Sequence, residues 1–129
     1  MRSDTHKSQT ETENIAAKRH AILRWMLEMF DEFSTETGLG ADEVIILMSL
    51  MMISCADVLR GEAPLWSSRT SLGTLSQLTA IPKETVRRKL KKMTEMALIH
   101  AENDSTYAIN SEHAVILSLI ARMDDRPAP

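Results

Sequence analysis

From Leu72 to Ala97 the chain reads LGTLSQLTAIPKETVRRKLKKMTEMA, helix-forming on both sides of one residue that a helix interior rejects, Pro82. Proline fixes its own backbone angle, has no N–H to donate and clashes with the carbonyl one turn back. It therefore stops one helix, and it suits the first turn of the next. Two short helices joined by a turn at Ala80-Ile81-Pro82 are expected here, not one long helix. Ser71 is placed to cap the first, Leu72 to Thr79, with Leu75 and Leu78 turned inward. The second, Lys83 to about Ala97, carries Val86, Leu90, Met93 and Ala97 at steps of four, three and four, which is one helical face.

The pattern changes after that helix. Leu98-Ile99-His100-Ala101 and Thr106-Tyr107-Ala108-Ile109 are β-compatible runs on either side of Glu102-Asn103-Asp104-Ser105, a hairpin signal. Short helix, tight turn, helix and hairpin, in that order, describe a winged helix-turn-helix. The same residues carry a family likeness. TLSQLTAIPKETVRRKLKKMTEMALI resembles the DNA-binding segment of MarR-, GntR- and IclR-type bacterial regulators. There a short helix, a small residue, an apolar residue and Ser or Pro lead into a T-V-R-R-like recognition helix and a closing L-I or L-V. The resemblance covers residues 71–110 of 129 and is shared among these families. With two long helices before the motif and one after it, the whole looks closest to a MarR-like dimer. It implies a transcriptional regulator with double-stranded DNA as its partner. The wing departs from the pattern: HAENDSTYA has no Lys or Arg and carries Glu102 and Asp104, so a phosphate-gripping wing is not expected.

Charge supports the same reading once it is counted by segment. The formal net charge is −3, yet Lys83 to Lys92 holds six basic side chains against Glu84 alone. With Val86, Leu90 and Met93 holding one side in the domain, Lys83, Glu84, Arg87, Arg88, Lys91 and Lys92 fall on the remaining surface, whose first turns can enter a major groove. Arg87 or Arg88 and Thr85 are the expected base readers, because Arg can donate two hydrogen bonds to guanine and Thr offers a hydroxyl or a methyl. Lys91 and Lys92, one turn later, are expected at phosphates. Ser71 at the motif's entry completes the candidate DNA-binding set.

The flanking segments read as scaffold, giving a mainly α protein with a small β-hairpin wing and N- and C-terminal dimerisation helices. A disordered polar tail is expected through residue 11, then a helix from about Thr12 to Thr37, ended by Gly38 and Gly40. Its Ile15, Ile22, Met26, Met29, Phe30 and Phe33 share one face, widened by Leu23, Trp25 and Leu27. A second helix runs from Ala41 to about Arg60, with Asp42 and Glu43 favourably placed at the positive end of its dipole. It is apolar almost all round, and so short a chain has little else to surround it, which points to a second copy. Residues 12–62 are thus the expected dimerisation helices, and residues 63–110 the winged helix-turn-helix, entered by a loop from Glu62 to Thr70 anchored by Trp66. Residues 111–124 form a last helix capped by Ser111, and residues 125–129 a frayed tail.

Other chemistry has less to stand on. The apolar run Val44 to Ala56 is 13 residues, against the roughly 20 of a membrane span. The N-terminus shows no signal-like apolar segment, and the lone Cys55 reads as a small buried hydrophobe in a reducing cytoplasm. His6, His20, His100 and His113 lack the i, i+4 spacing of paired helical metal ligands, and no Gly-rich phosphate loop or nucleophile elbow appears. No enzyme, cofactor or metal is expected. Met26, Met29, Met48, Met51 and Met52 read as core, with an adaptable ligand pocket as the other option. The competing functional reading is a winged helix used for protein interaction without direct DNA binding.

Overall fold

The computed structural model describes the backbone of residues 2–103 and 105–125, and within that range the side chains from residue 8 onward. Its elements are α1 (Arg2–Thr37), α2 (Ala41–Leu59), β1 (Thr70–Ser71), α3 (Leu72–Thr79), α4 (Lys83–Glu95), β2 (Ile99–Glu102), β3 (Thr106–Ile109) and α5 (Ala114–Asp124). The described residues are mostly helical, with one small antiparallel sheet in the order β1-β3-β2, an arrangement compatible with a winged helix.

α1 begins at Arg2, which corrects the expected tail through residue 11. No Gly or Pro interrupts the 36 residues of this helix, so its polar start continues the same backbone. Gly38, at φ +72, ends it, with its N–H bonded to Ser34 O at 2.8 Å. The chain then bends by 111° from α1 into α2. The apolar stripe of α1 is buried only near its C-terminus. Met29 and Phe33 enter the core and Trp25 and Phe30 pack on it, whereas Ile15, Leu23, Met26 and Leu27 are exposed. Arg122 of α5 fastens this end of α1 through Glu32 (2.9 Å) and Glu36 (2.6 Å).

α2 is the spine of the core. Val44, Ile46, Leu47, Leu50 and Met51 are buried against Leu75, Leu90, Ile109, Ile116 and Leu119 in one cluster. Cys55 is exposed, correcting its expected burial, because the core-facing stripe of α2 passes through Met51 and Ser54 and leaves residue 55 on the other side. Ser54 is buried and its Oγ accepts the Trp66 N–H at 2.6 Å, tying the 60–69 loop to the spine. Asp57 adds a second tie. Its carboxyl lies below the ordinary carboxylate range, chiefly because Ser68 donates to it at 2.6 Å, helped by Arg60.

The sheet has a strand that periodicity did not announce. Thr70 pairs opposite Tyr107 and Ser71 opposite Thr106, so the end of the expected loop adds an edge to the hairpin. The hairpin itself sets Ile99 opposite Ile109 and Glu102 opposite Thr106, one residue past the expected end of its first strand. α5 is capped by His113, whose Nδ1 accepts the Val115 N–H at 3.1 Å, and not by Ser111. Asn110 is the cause: its Oδ1 accepts the Glu112 N–H and its carbonyl the His113 N–H, both at 3.2 Å, forming a turn that delays the helix. Asp104 and the RPAP end lie outside the described residues. Among those residues no single helix is long and apolar enough to cross a membrane.

Candidate nucleic-acid interface

The outer surface of α4 is set by what its inner surface buries. Val86, Leu90 and Met93 are fully buried, as their spacing requires. Ala97 is not the fourth member of that face. The helix ends at Glu95, and Ala97 turns to φ +61 and is exposed. Ahead of α4, Ser71 Oγ accepts the Thr74 N–H at 3.1 Å, the capping role read from the sequence. Within α3 only Leu75 is fully buried, and Leu78 is exposed, correcting its inward placement. Ser76 stands nearer the core and donates from Oγ to Ile81 O at 2.7 Å, bracing the turn into α4. Ala80, at φ +60, makes that turn.

With α4 so fixed, Lys83, Glu84, Arg87, Arg88, Lys91 and Lys92 are exposed and Thr85 is half-buried. They are not equivalent. Arg87 is paired with Glu84 one turn back at 2.7 Å. Among the described residues Lys83, Arg88 and Lys91 have no ion pair. Lys92 is drawn the other way, its Nζ 2.9 Å from Glu43 Oε1, with Lys89 Nζ at 3.5 Å from the same oxygen. The expected phosphate contact at Lys92 is therefore engaged within the chain. Between α4 and the sheet lies a hollow of about 280 Å³ lined by Arg87, Lys91, Thr94, Glu95, Ala101 and Tyr107.

Two residues outside the sequence-derived set, Glu43 and Arg69, form ion pairs around these elements. Glu43 was legible only as an acid at a helix start. Its side chain is buried and belongs to a capping box, with Oε2 accepting the Gly40 N–H at 2.5 Å. Burial by itself raises its carboxyl, but the hydrogen bonds from Lys92 and Gly40 and the charges of Lys89 and Lys92 outweigh this and hold it below 4.5. The sequence signal was a Glu three residues after Gly40, the second of two adjacent acids and next to an apolar run. Arg69 is the second. It pairs with Glu102 of β2 at 2.8 Å, so the hairpin's acid is matched by a cation from beside β1.

The methionines divide between core and surface. Met29 and Met51 are buried, while Met48, Met51 and Met52 join Ile45, Ser49 and Met123 around a groove of about 380 Å³ between α2 and α5. Among the described residues no group of three or more His, Cys, Asp or Glu is placed to hold a metal ion.

No family model matches the sequence, and no curated protein matches it either. Among solved structures the disulfide-formed AbfR is similar, with a TM-score of 0.51 and 10% sequence identity over 95% of this chain and 83% of that one. The likeness is therefore one of fold, and it extends beyond the helix-turn-helix segment to nearly the whole described chain.

Proposed function

We propose that the chain is a sequence-specific, double-stranded-DNA-binding transcriptional regulator that acts as a homodimer and places α4 in the major groove. The observation that carries this reading is α4 itself: an apolar side sealed in the core and an opposite side of exposed Lys and Arg, of which Lys83, Arg88 and Lys91 hold no ion pair among the described residues. The fold likeness to AbfR is in keeping with it. Arg87 and Arg88, with Thr85 and Lys83, read bases, and Lys91 positions the backbone. The reading is of a binding protein, not an enzyme.

The test is selection of bound sequences from random duplex DNA at stated salt, followed by binding of variants to the selected site and to unrelated duplex. Replacing one base-reading Arg with Ala should cost roughly 1–3 kcal/mol and relax preference at one base position. Replacing Lys91 should weaken all sequences alike and lower the salt slope by about one. Leu90→Ala is the folding control, since truncating a buried Leu costs about 2–5 kcal/mol of stability. An Arg87→Ala, Arg88→Ala double variant that stays folded and binds the site like the parent overturns the assignment.

A second reading, a protein-interaction module, is favoured by the wing, where no Lys or Arg stands between His100 and Ala108 and Glu102 is already paired. Salt separates the two. Phosphate contacts release counterions and give a steep log-log dependence on salt, which protein contacts do not generally follow.

A further inference from the structure

We propose that Glu43 is a specificity-determining residue of this interface, a buried counter-anion that withholds Lys89 and Lys92 from the DNA backbone while locking α4 against α2. The proposal rests on the reading of α4 as a DNA-recognition helix.

Three observations meet at this carboxylate. Its side chain is only 2% exposed, while the Lys89 and Lys92 side chains are 27% and 49% exposed, so the anion is internal and its cations lie at the rim. Both carboxylate oxygens are used, Oε2 by the Gly40 N–H and Oε1 by the two ammonium groups. The backbone is also shaped to admit it: a Cβ at residue 40 would stand 3.0 Å from Oε2, closer than a side-chain carbon normally approaches. These contacts join residues 46 and 49 positions apart, the first turn of α2 to the middle and last turn of α4.

The consequence follows from how cations act near DNA. Each ammonium that meets a phosphate releases a counterion and adds attraction without regard to sequence, steepening the salt dependence by about 0.9 per contact. An ammonium already satisfied by an internal carboxylate gains less from a phosphate, since it must leave a desolvated anion behind. Specificity is the ratio of the affinity for the preferred site to that for all other DNA. Withholding Lys89 and Lys92 lowers the second affinity more than the first, and holding α4 to α2 keeps Arg87 and Arg88 aimed by the scaffold.

The decisive variant is Glu43→Gln, which keeps the size and an acceptor for the Gly40 N–H but removes the charge. Unrelated duplex should bind about three- to ten-fold more tightly at low salt, with a slope steeper by about one to two as one or both ammonium groups reach phosphates. The preferred site should gain less, so the ratio falls. A readout without DNA runs beside it: acylation of the native chain by an amine-reactive reagent, followed by peptide mass measurement. In the parent, Lys92 should react more slowly than Lys91, and in Glu43→Gln the two should react alike. Equal rates in the parent overturn the pairing. Protection in the parent together with unchanged affinity and slope in a folded Glu43→Gln overturns the specificity role. A parent that binds no duplex at any salt defeats the recognition-helix reading and the specificity role with it, while the acylation result still decides the pairing. Should Glu43→Gln not fold, Lys92→Gln against Lys91→Gln decides: the first should leave the slope unchanged and the second lower it by about one, and equal losses overturn the proposal.

Discussion

Ala97 stands at φ +61 in the turn that ends α4, with its own N–H bonded to Thr94 O and the Leu98 N–H bonded to Met93 O, both at 3.0 Å. This is a Schellman ending, and α2 closes the same way with Gly61 at the equivalent place. An L-residue in the left-handed region costs about 1–2 kcal/mol, of which glycine gives back roughly 0.4–1 through the freer unfolded chain. Ala97→Gly should therefore raise stability by about 0.5–1 kcal/mol, seen as a higher denaturant midpoint at unchanged slope. A loss of stability would show that the Ala97 methyl is a packing contact and not a strained group. Glu43 gives a second prediction at this scale. Its folded carboxyl lies below its unfolded value of 4.5, so the stability it contributes is fully present above about pH 4.5 and is lost as pH falls through the depressed folded value. The acid limb of the parent's stability curve should flatten in Glu43→Gln. An identical limb in both would mean that other carboxylates govern acid unfolding.

At the scale of elements, what could be read in advance was whatever repeats. Val86, Leu90 and Met93 fixed the buried side of α4 because three residues at helical spacing leave one solution, and Pro82 and Ser71 fixed its approach because each has a backbone role of its own. β1 could not be read, since two residues have no period and its partner lies 35 or more positions downstream. Ser111 lost the cap of α5 to His113 because Asn110 turns the chain first, a choice made by competing local hydrogen bonds and not by composition. The same limit applies to the site. Exposed cations announced themselves, whereas the Glu43 clamp depends on a long-range approach of α2 to α4. The β2–β3 hairpin gives a third prediction. Replacing Glu102 and Asp104 with Ala should leave DNA affinity unchanged or slightly raised, because it removes negative charge and releases Arg69 from Glu102. The check is a titration on the selected site, where a large loss would mean that the hairpin accepts hydrogen bonds from DNA or that the Arg69 pair holds the sheet.

At the scale of the whole molecule, large apolar side chains of α1 and α2 stand exposed among the described residues. At 1.5 Å per residue, the 36 residues of α1 extend about 54 Å, whereas a compact domain of this length is about 35 Å across. Its outer part runs past the core, with Leu23 58% and Leu27 71% exposed one turn apart. On α2, Ile45 and Met52 are exposed as well, beside the Met-lined groove. A helix with these side chains in water is stabilised by packing more than by propensity, so a partner surface is expected, and a second copy related by a two-fold axis supplies one without further assumptions. Sedimentation at micromolar concentration should give twice the 14.5 kDa chain mass. Leu23→Glu with Leu27→Glu should shift it to the single-chain mass while leaving the melt of the α2–α4 core in place, since neither side chain is part of that core. A dimer carries two copies of α4, so the parent should prefer an inverted repeat with half-sites about one DNA turn apart, and the double variant should lose that preference while retaining contact with a single half-site. A parent that sediments as one chain, or a double variant that still dimerises, would place the subunit contact elsewhere or remove it.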